Sequence, residues 1–212
     1  MSARPDPFGL VGQTIDGQYR VDAVVGEGGF SVVYRALHQG LDEPVAIKCL
    51  KLPAGLVQSS LVETFLQRFR DESRLYYKLS QGNLHIVRSI SSGTTVSPTI
   101  GAAVPFMVLE WLEGRSLAEE LEARRLRGEK GRTLQEVVDL LDGAIDGLAY
   151  AHAQGVVHRD LNPGNVFLCE TGTGPTIKVL DFGVAKLAKE ASGEDAIELT
   201  KTASMVGTPA FM

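Results

Sequence analysis

Alternating apolar and polar positions mark the first part of the chain. Two β-type runs, YRVDAVV and SVVYRAL, lie within residues 19–36 and flank a glycine turn, Gly26-Glu27-Gly28-Gly29. A third run follows at residues 44–52, and the spacing and turn chemistry predict an antiparallel meander. The period then changes. Leu61, Phe65, Phe69, Tyr76 and Leu79 recur at helical spacing, and Ser60 with Glu63 makes a capping-box pattern at the start. Two more strands are predicted near residues 85–91 and 105–112. Between them SSGTTVSPTIGAAV is polar and rich in small residues, which predicts a loop or a long hairpin tip.

After Gly114 the pattern is mainly helical. Ser116 with Glu119 and Thr133 with Glu136 repeat the capping-box spacing. The second pair opens an amphipathic helix whose apolar face is Leu134, Val137, Val138, Leu141, Ala144, Ile145, Leu148 and His152. Two short β-runs, NVFL and TIKVL, bracket the turn TGTGP. The stretch 188–202 is polar and reads as a mobile loop. Residues 1–18, with Pro5, Pro7 and three glycines, read as a flexible lead-in. The pattern therefore predicts an α+β chain in three parts: the lead-in at 1–18, a β-rich part with one main helix at 19–112, and a helical part at 113–212. A hinge falls at residues 110–114, and ligands favour clefts beside such hinges.

Charge narrows the function. The net charge of −5 argues against a general nucleic-acid or membrane-surface binder, which would carry a basic excess. Cys49 and Cys169 sit in separate apolar runs and read as reduced packing residues. The first residues hold no apolar core fit for a signal peptide, and nowhere do 18 apolar residues run together. The predicted compartment is the cytoplasm.

Chemistry-bearing residues are concentrated in few places. Glycines between two strands let backbone N–H groups approach phosphate oxygens. A strand rather than a helix follows them here, so a dinucleotide fold is excluded. Taken alone, the turn is also compatible with an ordinary glycine-rich hairpin. Lys48 lies in VAIKCL, where alternation puts Ala46, Lys48 and Leu50 on one face. A lysine in such a run is costly to bury unpartnered, or else it points into water from an edge strand. Glu72, three residues after Phe69 and four before Tyr76, puts a carboxylate on the apolar helix face. Lys48 and Glu72 explain each other if they pair. HRDLNPGN places Asp160 five residues before Asn165, and DFG ends a strand with Asp181. Asp160 can accept a proton from a hydroxyl. Asn165 and Asp181 suit magnesium, which favours one or two carboxylates plus phosphate oxygens.

Seven motifs stand in order: GEGGFSVVY, VAIK, FRDES, LEWLEGRSL, HRDLNPGN, DFG and GTPAFM. Together they resemble the eukaryotic-type (Hanks-type) protein kinases, most closely the bacterial Ser/Thr branch. The resemblance implies a two-lobed protein-kinase-like fold, with a β-rich N-lobe and a partial helical C-lobe. It implies an ATP- and magnesium-dependent protein serine/threonine kinase. By it, Gly26, Glu27, Gly28, Gly29 and Ser31 cover the ATP phosphates. Lys48 holds the α- and β-phosphates and pairs with Glu72. Asp160 is the catalytic base, while Asn165 and Asp181 hold Mg2+. Val33, Ala46 and Phe167 sandwich the adenine, and the backbone of Glu110 and Leu112 reads its edge. Thr200 and Thr202 match phosphorylated positions whose phosphate would engage Arg159. The implied partners are a protein substrate carrying Ser or Thr and a second copy for phosphorylation in trans. No nucleic-acid partner and no membrane segment are expected.

Two departures stand against the family pattern. Asn162 replaces the usual lysine two residues after the base. Losing one preorganised charge contact costs about 2.7–4 kcal/mol by analogy with oxyanion-hole deletions. A nucleotide-binding pseudokinase or scaffold, or an inactive fragment, is therefore the alternative reading. The chain also stops before the family's Ala-Pro-Glu motif. The expectation is a truncated chain with exposed apolar surface on helix 133–152 and marginal stability.

Overall fold

The computed structural model describes residues 4–29, 31–52, 61–172 and 174–182. They form strands β1 (Thr14–Ile15), β2 (Tyr19–Glu27), β3 (Ser31–His38) and β4 (Glu43–Leu50), helix α1 (Leu61–Gly82), then β5 (Ser89–Val96), β6 (Ala103–Glu110) and β7 (Gly114–Ser116). Helices α2 (Leu117–Leu126) and α3 (Leu134–Ala153) follow, then a 3-10 turn (Pro163–Asn165), β8 (Val166–Thr171) and β9 (Gly174–Val179). Two compact units result. The first holds the described residues up to Tyr77 together with Ser89–Trp111. The second holds Lys78–Arg88 and the described residues from Leu112 onward. The β-rich part expected at 19–112 is thus interrupted, because residues 78–88 belong with the second unit.

The first unit is an antiparallel sheet of order β1-β2-β3-β4-β6-β5. Register fixes its faces. Val33 pairs with Lys48 and Lys48 with Met107, while Ala46 pairs with Leu109. Directly opposed residues share a face, as do residues two apart. Val33, Ala46, Lys48, Met107 and Leu109 therefore line one side. Val32, Tyr34, Ile47, Cys49, Phe106 and Val108 line the other and form the unit's core. The β2–β3 pairing shifts register at Val21/Ala23 and again at Val24/Gly26. Such bulges add local twist, here just before the glycine turn.

The lead-in differs from expectation. Phe8, Leu10 and Ile15 are buried in that core, and Ile15 pairs with Tyr19. Asp6 holds the segment by accepting from Tyr34 Oη–H at 2.7 Å and from the N–H groups of Gly9 and Val11 at 3.0 and 2.9 Å. Those hydrogen bonds outweigh burial and hold its carboxyl below the ordinary range. Composition flagged Pro and Gly as breakers but could not reveal the three apolar anchors between them.

SSGTTVSPTIGAAV is mostly strand. Thr94, Thr95 and Val96 pair with Pro105, Val104 and Ala103, and the tip is only residues 97–102. Ser97 closes it, taking an N–H from Gly101 on its carbonyl at 2.9 Å and donating its hydroxyl to Phe8 O at 2.6 Å. The strand expected at 85–91 begins only at Ser89. Ile86 instead makes an isolated parallel bridge to Val179 in the second unit. Helix α1 buries Phe65, Phe69, Tyr76 and Leu79 as its spacing predicts. The Ser60 cap lies outside the described residues.

In the second unit β7, β8 and β9 form a small antiparallel sheet. Gly114 opens it at φ 135°, and a Cβ there would sit 2.0 Å from Leu168 O, so only glycine fits. Both predicted capping boxes are present. Ser116 Oγ accepts from Glu119 N–H and Thr133 Oγ1 from Glu136 N–H, while each glutamate accepts the cap's own N–H. Helix α3 buries Ala144, Gly147 and Ala151. Much of the wider apolar face stays open, with Leu134 82% and Ile145 56% exposed. Cys49 and Cys169 are both buried and neither is in a disulfide, as expected. Burial, helped by the nearby Asp6 charge, pushes the Cys49 thiol up to about 12.

Candidate active site

The β8–β9 hairpin explains why Asn165 and Asp181 come together. Val166 opposes Val179, so the residue before β8 and the residues after β9 emerge at the same end. Leu180 N–H donates to Asn165 O at 2.8 Å and closes that end. His158 binds the same junction. Its Nε2 lies 2.6 Å from Leu180 O, and its Nδ1 is 3.4 Å from the Asp160 amide. A carbonyl can only accept, so Nε2 carries the proton and Nδ1 is the acceptor. The ring is therefore neutral. Burial drives its pKa down, outweighing the Leu180 hydrogen bond and the Asp181 and Asp160 charges that push the other way. Phe182 packs on this ring with centroids 4.7 Å apart, and both side chains are buried.

Asp160 sits in a loop braced by two amides. Asn165 Nδ2 donates to Asp160 O at 2.8 Å and to its Oδ2 at 3.3 Å. Asn162 Nδ2 donates to Asp160 O at 3.1 Å, while Asn162 Oδ1 caps the 3-10 turn by accepting from Gly164 N–H at 2.9 Å. Both ends of the Asn162 amide thus serve the loop itself. Arg159 and Asp181 adopt φ of 66° and 59°. Non-glycine residues are uncommon there, such strain costs about 1–3 kcal/mol each, and it concentrates at functional sites.

Because its Nδ2 is committed to Asp160, Asn165 has its Oδ1 left as an acceptor. That oxygen and the Asp181 carboxylate are hard donors of the kind magnesium takes. Among the described residues no group of three or more His, Cys, Asp and Glu could hold a metal by itself. A magnesium ion fits such a sparse set, since phosphate oxygens and water complete its shell.

The first unit carries most of the remaining predicted residues. Gly26 and Glu27 end β2, Ser31 starts β3, and Gly28 N–H donates to Ser31 O at 2.9 Å across the turn. Val33 and Ala46 are half-buried on the Lys48 face. Lys48 is only 6% exposed, so the edge-strand reading is excluded: β4 lies between β3 and β6. Glu72 is half-buried on the side of α1 that buries Phe69 and Tyr76. Neither Lys48 nor Glu72 is without an interaction partner. Glu110 ends β6, half-buried, and Leu112 follows at the start of the second unit, where Phe167 lies half-buried in β8. Thr200 and Thr202 lie outside the described residues. Sequence reasoning missed Met107, whose place on the Lys48 face depends on strand register, and Lys51, whose Nζ reaches Glu27 Oε1 and Gly28 O at 2.8 and 2.9 Å.

A β-sheet unit with a glycine turn and a buried lysine, and a second unit with an Asp–Asn–Asp constellation around a neutral histidine, define a protein-kinase-like fold. The chain belongs to the protein kinase domain family, which matches residues 19–212. It is 32% identical over 200 residues to the probable serine/threonine-protein kinase pknA2 of Bifidobacterium longum (strain NCC 2705), covering 94% of this chain and 23% of that protein. It is 34% identical over 209 residues to the serine/threonine-protein kinase pkn3 of Myxococcus xanthus, covering 98% and 35%. The PknI kinase domain of Mycobacterium tuberculosis superposes with a TM-score of 0.62 at 24% identity, covering 82% of this chain and 62% of that one. That likeness is one of fold. The chain spans well under half the length of these curated relatives.

Proposed function

We propose that this chain carries the nucleotide-binding and catalytic-loop portion of an ATP- and magnesium-dependent protein serine/threonine kinase. The observation that carries the reading is the bracing of Asp160 by Asn165 at the end of the β8–β9 hairpin from which Asp181 emerges. Asp160 acts as base toward a protein hydroxyl, its carboxylate held by the Asn165 amide. Asn165 Oδ1 and Asp181 would hold Mg2+, which when bound would supply positive charge to the phosphoryl group. Lys48, paired with Glu72, holds the α- and β-phosphates, and the turn from Gly26 to Ser31 covers them. Val33 and Ala46 contact the adenine, whose edge meets the backbone of Glu110. Such catalysis is positioning and electrostatics. Asn162 is a positioning residue here, because both atoms of its amide are used within the loop. The named relatives support the serine/threonine assignment, and the cytoplasmic placement belongs to the same proposal.

The test is γ-phosphate transfer to a generic protein substrate. Asp160→Asn and Lys48→Met should each lower incorporation by about 10²-fold or more, the scale of a lost general base. Equal incorporation by all three chains would sink the proposal. Stabilisation by Mg–ATP without any transfer would select a nucleotide-binding pseudokinase instead.

A further inference from the structure

We propose that Lys51 is a positioning residue for nucleotide binding, neutralising Glu27 and pinning the glycine turn. This rests on the reading that the turn covers nucleotide phosphates. Lys51 follows Leu50, the last residue of β4, which pairs with Ser31 at the start of β3. From there its amine reaches Glu27 Oε1 at 2.8 Å and Gly28 O at 2.9 Å. Gly28 N–H is already given to Ser31 O at 2.9 Å. Gly28 is therefore held on both sides, by its N–H and by its carbonyl. Glycine gives the turn the widest conformational choice of any residue, and these two bonds restrict it at one position while leaving Gly29 between the anchored ends.

Charge supplies the second argument. Glu27 stands inside the run meant to cover a polyanion. A carboxylate there repels the phosphates over distances within the screening length, about 8–10 Å at physiological salt. Lys51 cancels that charge in place. Its three N–H donors and flexible stem suit the two acceptors it meets. Lys48 stands three residues earlier, near the same end of β4, but it is buried on the sheet face opposite the unit's core. The two lysines thus divide the work: Lys48 toward the phosphates, Lys51 toward the turn.

The pair is partly open, with side chains 30% and 38% exposed, so the effect on fold stability is small, within the range of surface ion pairs. The effect on ligand affinity is the readout. Mg–ATP affinity is measured by calorimetry for the unaltered chain and for Lys48→Met, Lys51→Met, Lys51→Arg, Glu27→Gln and Glu27→Gln/Lys51→Met, each checked for cooperative melting. Lys51→Met should weaken binding about three- to fivefold, the span of a pair of this kind, and Lys51→Arg should bind as the unaltered chain does. Adding Glu27→Gln to Lys51→Met should regain most of the loss, because the unpaired carboxylate is then gone. A merely structural role would not produce that rescue. Unchanged affinity in Lys51→Met, or a double variant as weak as the single, overturns the proposal while Lys48→Met still shows the nucleotide reading to hold. No ATP binding by the unaltered chain, or full binding by Lys48→Met, overturns both. Should Lys51→Met not melt cooperatively, Lys51→Gln takes its place with the same outcomes required.

Discussion

At the residue scale His158 ties the site's geometry to pH. Its Nε2–H donates to Leu180 O and its Nδ1 faces the Asp160 amide, an arrangement only the neutral ring can make. Burial has lowered its pKa below the ordinary 6.5. In the window just below 6.5 the unfolded chain binds a proton that the folded chain refuses. Stability therefore rises with pH through that window and is lost as pH falls through the folded pKa. The urea midpoint should be lower at pH 5.5 than at pH 7.5, and His158→Asn should flatten that difference. An unchanged slope in the variant would assign the effect to other groups. Asp6 and Glu120 do not compete for this window, since both have lowered carboxyl pKa values and act below the ordinary carboxylate range. The motif HRD named the residue; its tautomer needed Leu180, 22 positions away, and so was not legible in sequence.

At the element scale the ion cluster around Glu120 organises the start of the second unit. Glu120 lies on α2 with its side chain only 7% exposed. It accepts from Arg115 Nε of β7 at 2.9 Å and from Arg132, just before the α3 cap, at 2.7 Å. Burial pushes its pKa up, but the hydrogen bonds and charges of Arg132 and Arg115 prevail and hold the carboxyl low. One side chain thus links three segments that the sequence showed only as separate capping boxes. Removing one partner of a buried pair costs about 3–5 kcal/mol; with Arg115 half open to water the expected loss is smaller, about 1–3 kcal/mol. Glu120→Gln should show this as a lower denaturant midpoint at pH 7, a deficit that shrinks as pH falls below 4.5, where the unfolded carboxylate takes up a proton that the native one resists, and that is gone once pH passes the lowered native value. A midpoint within error of the unaltered chain would mean the cluster adds nothing. Local periodicity made β2, β3, β4, β6, β8, β9, α1 and both caps legible, but not β1 or β7. It could not show that Glu120 is buried, because α2 carries glutamates and arginines on every side. It also could not show that residues 78–88 join the second unit, where Val87 N–H and His85 O pair with Val179 at 3.0 and 2.7 Å.

At the scale of the whole molecule the apolar surface is unevenly covered. The sheet of the first unit is closed on its core side by Phe8, Leu10 and Ile15, so the segment expected to be a loose leader completes that core instead. Helix α3 has no comparable cover among the described residues. Its small residues Ala144, Gly147 and Ala151 pack inward, while Leu134, Val137, Val138 and Ile145 remain exposed on one helix. The spacing of that face was readable in sequence; its packing partner is not local and so left no trace in the pattern. Contiguous exposed apolar residues of this kind bind amphiphilic dyes and drive self-association. The unaltered chain should therefore enhance ANS fluorescence under native conditions and elute larger than a monomer as concentration rises. Val138→Lys with Ile145→Glu should reduce both effects. Thermal stability should hardly change, since surface substitutions outside special sites stay within about ±0.5 kcal/mol. A dye-silent, monomeric unaltered chain would show that this face is covered in solution. A double variant that stays dye-bright would move the exposed surface away from α3.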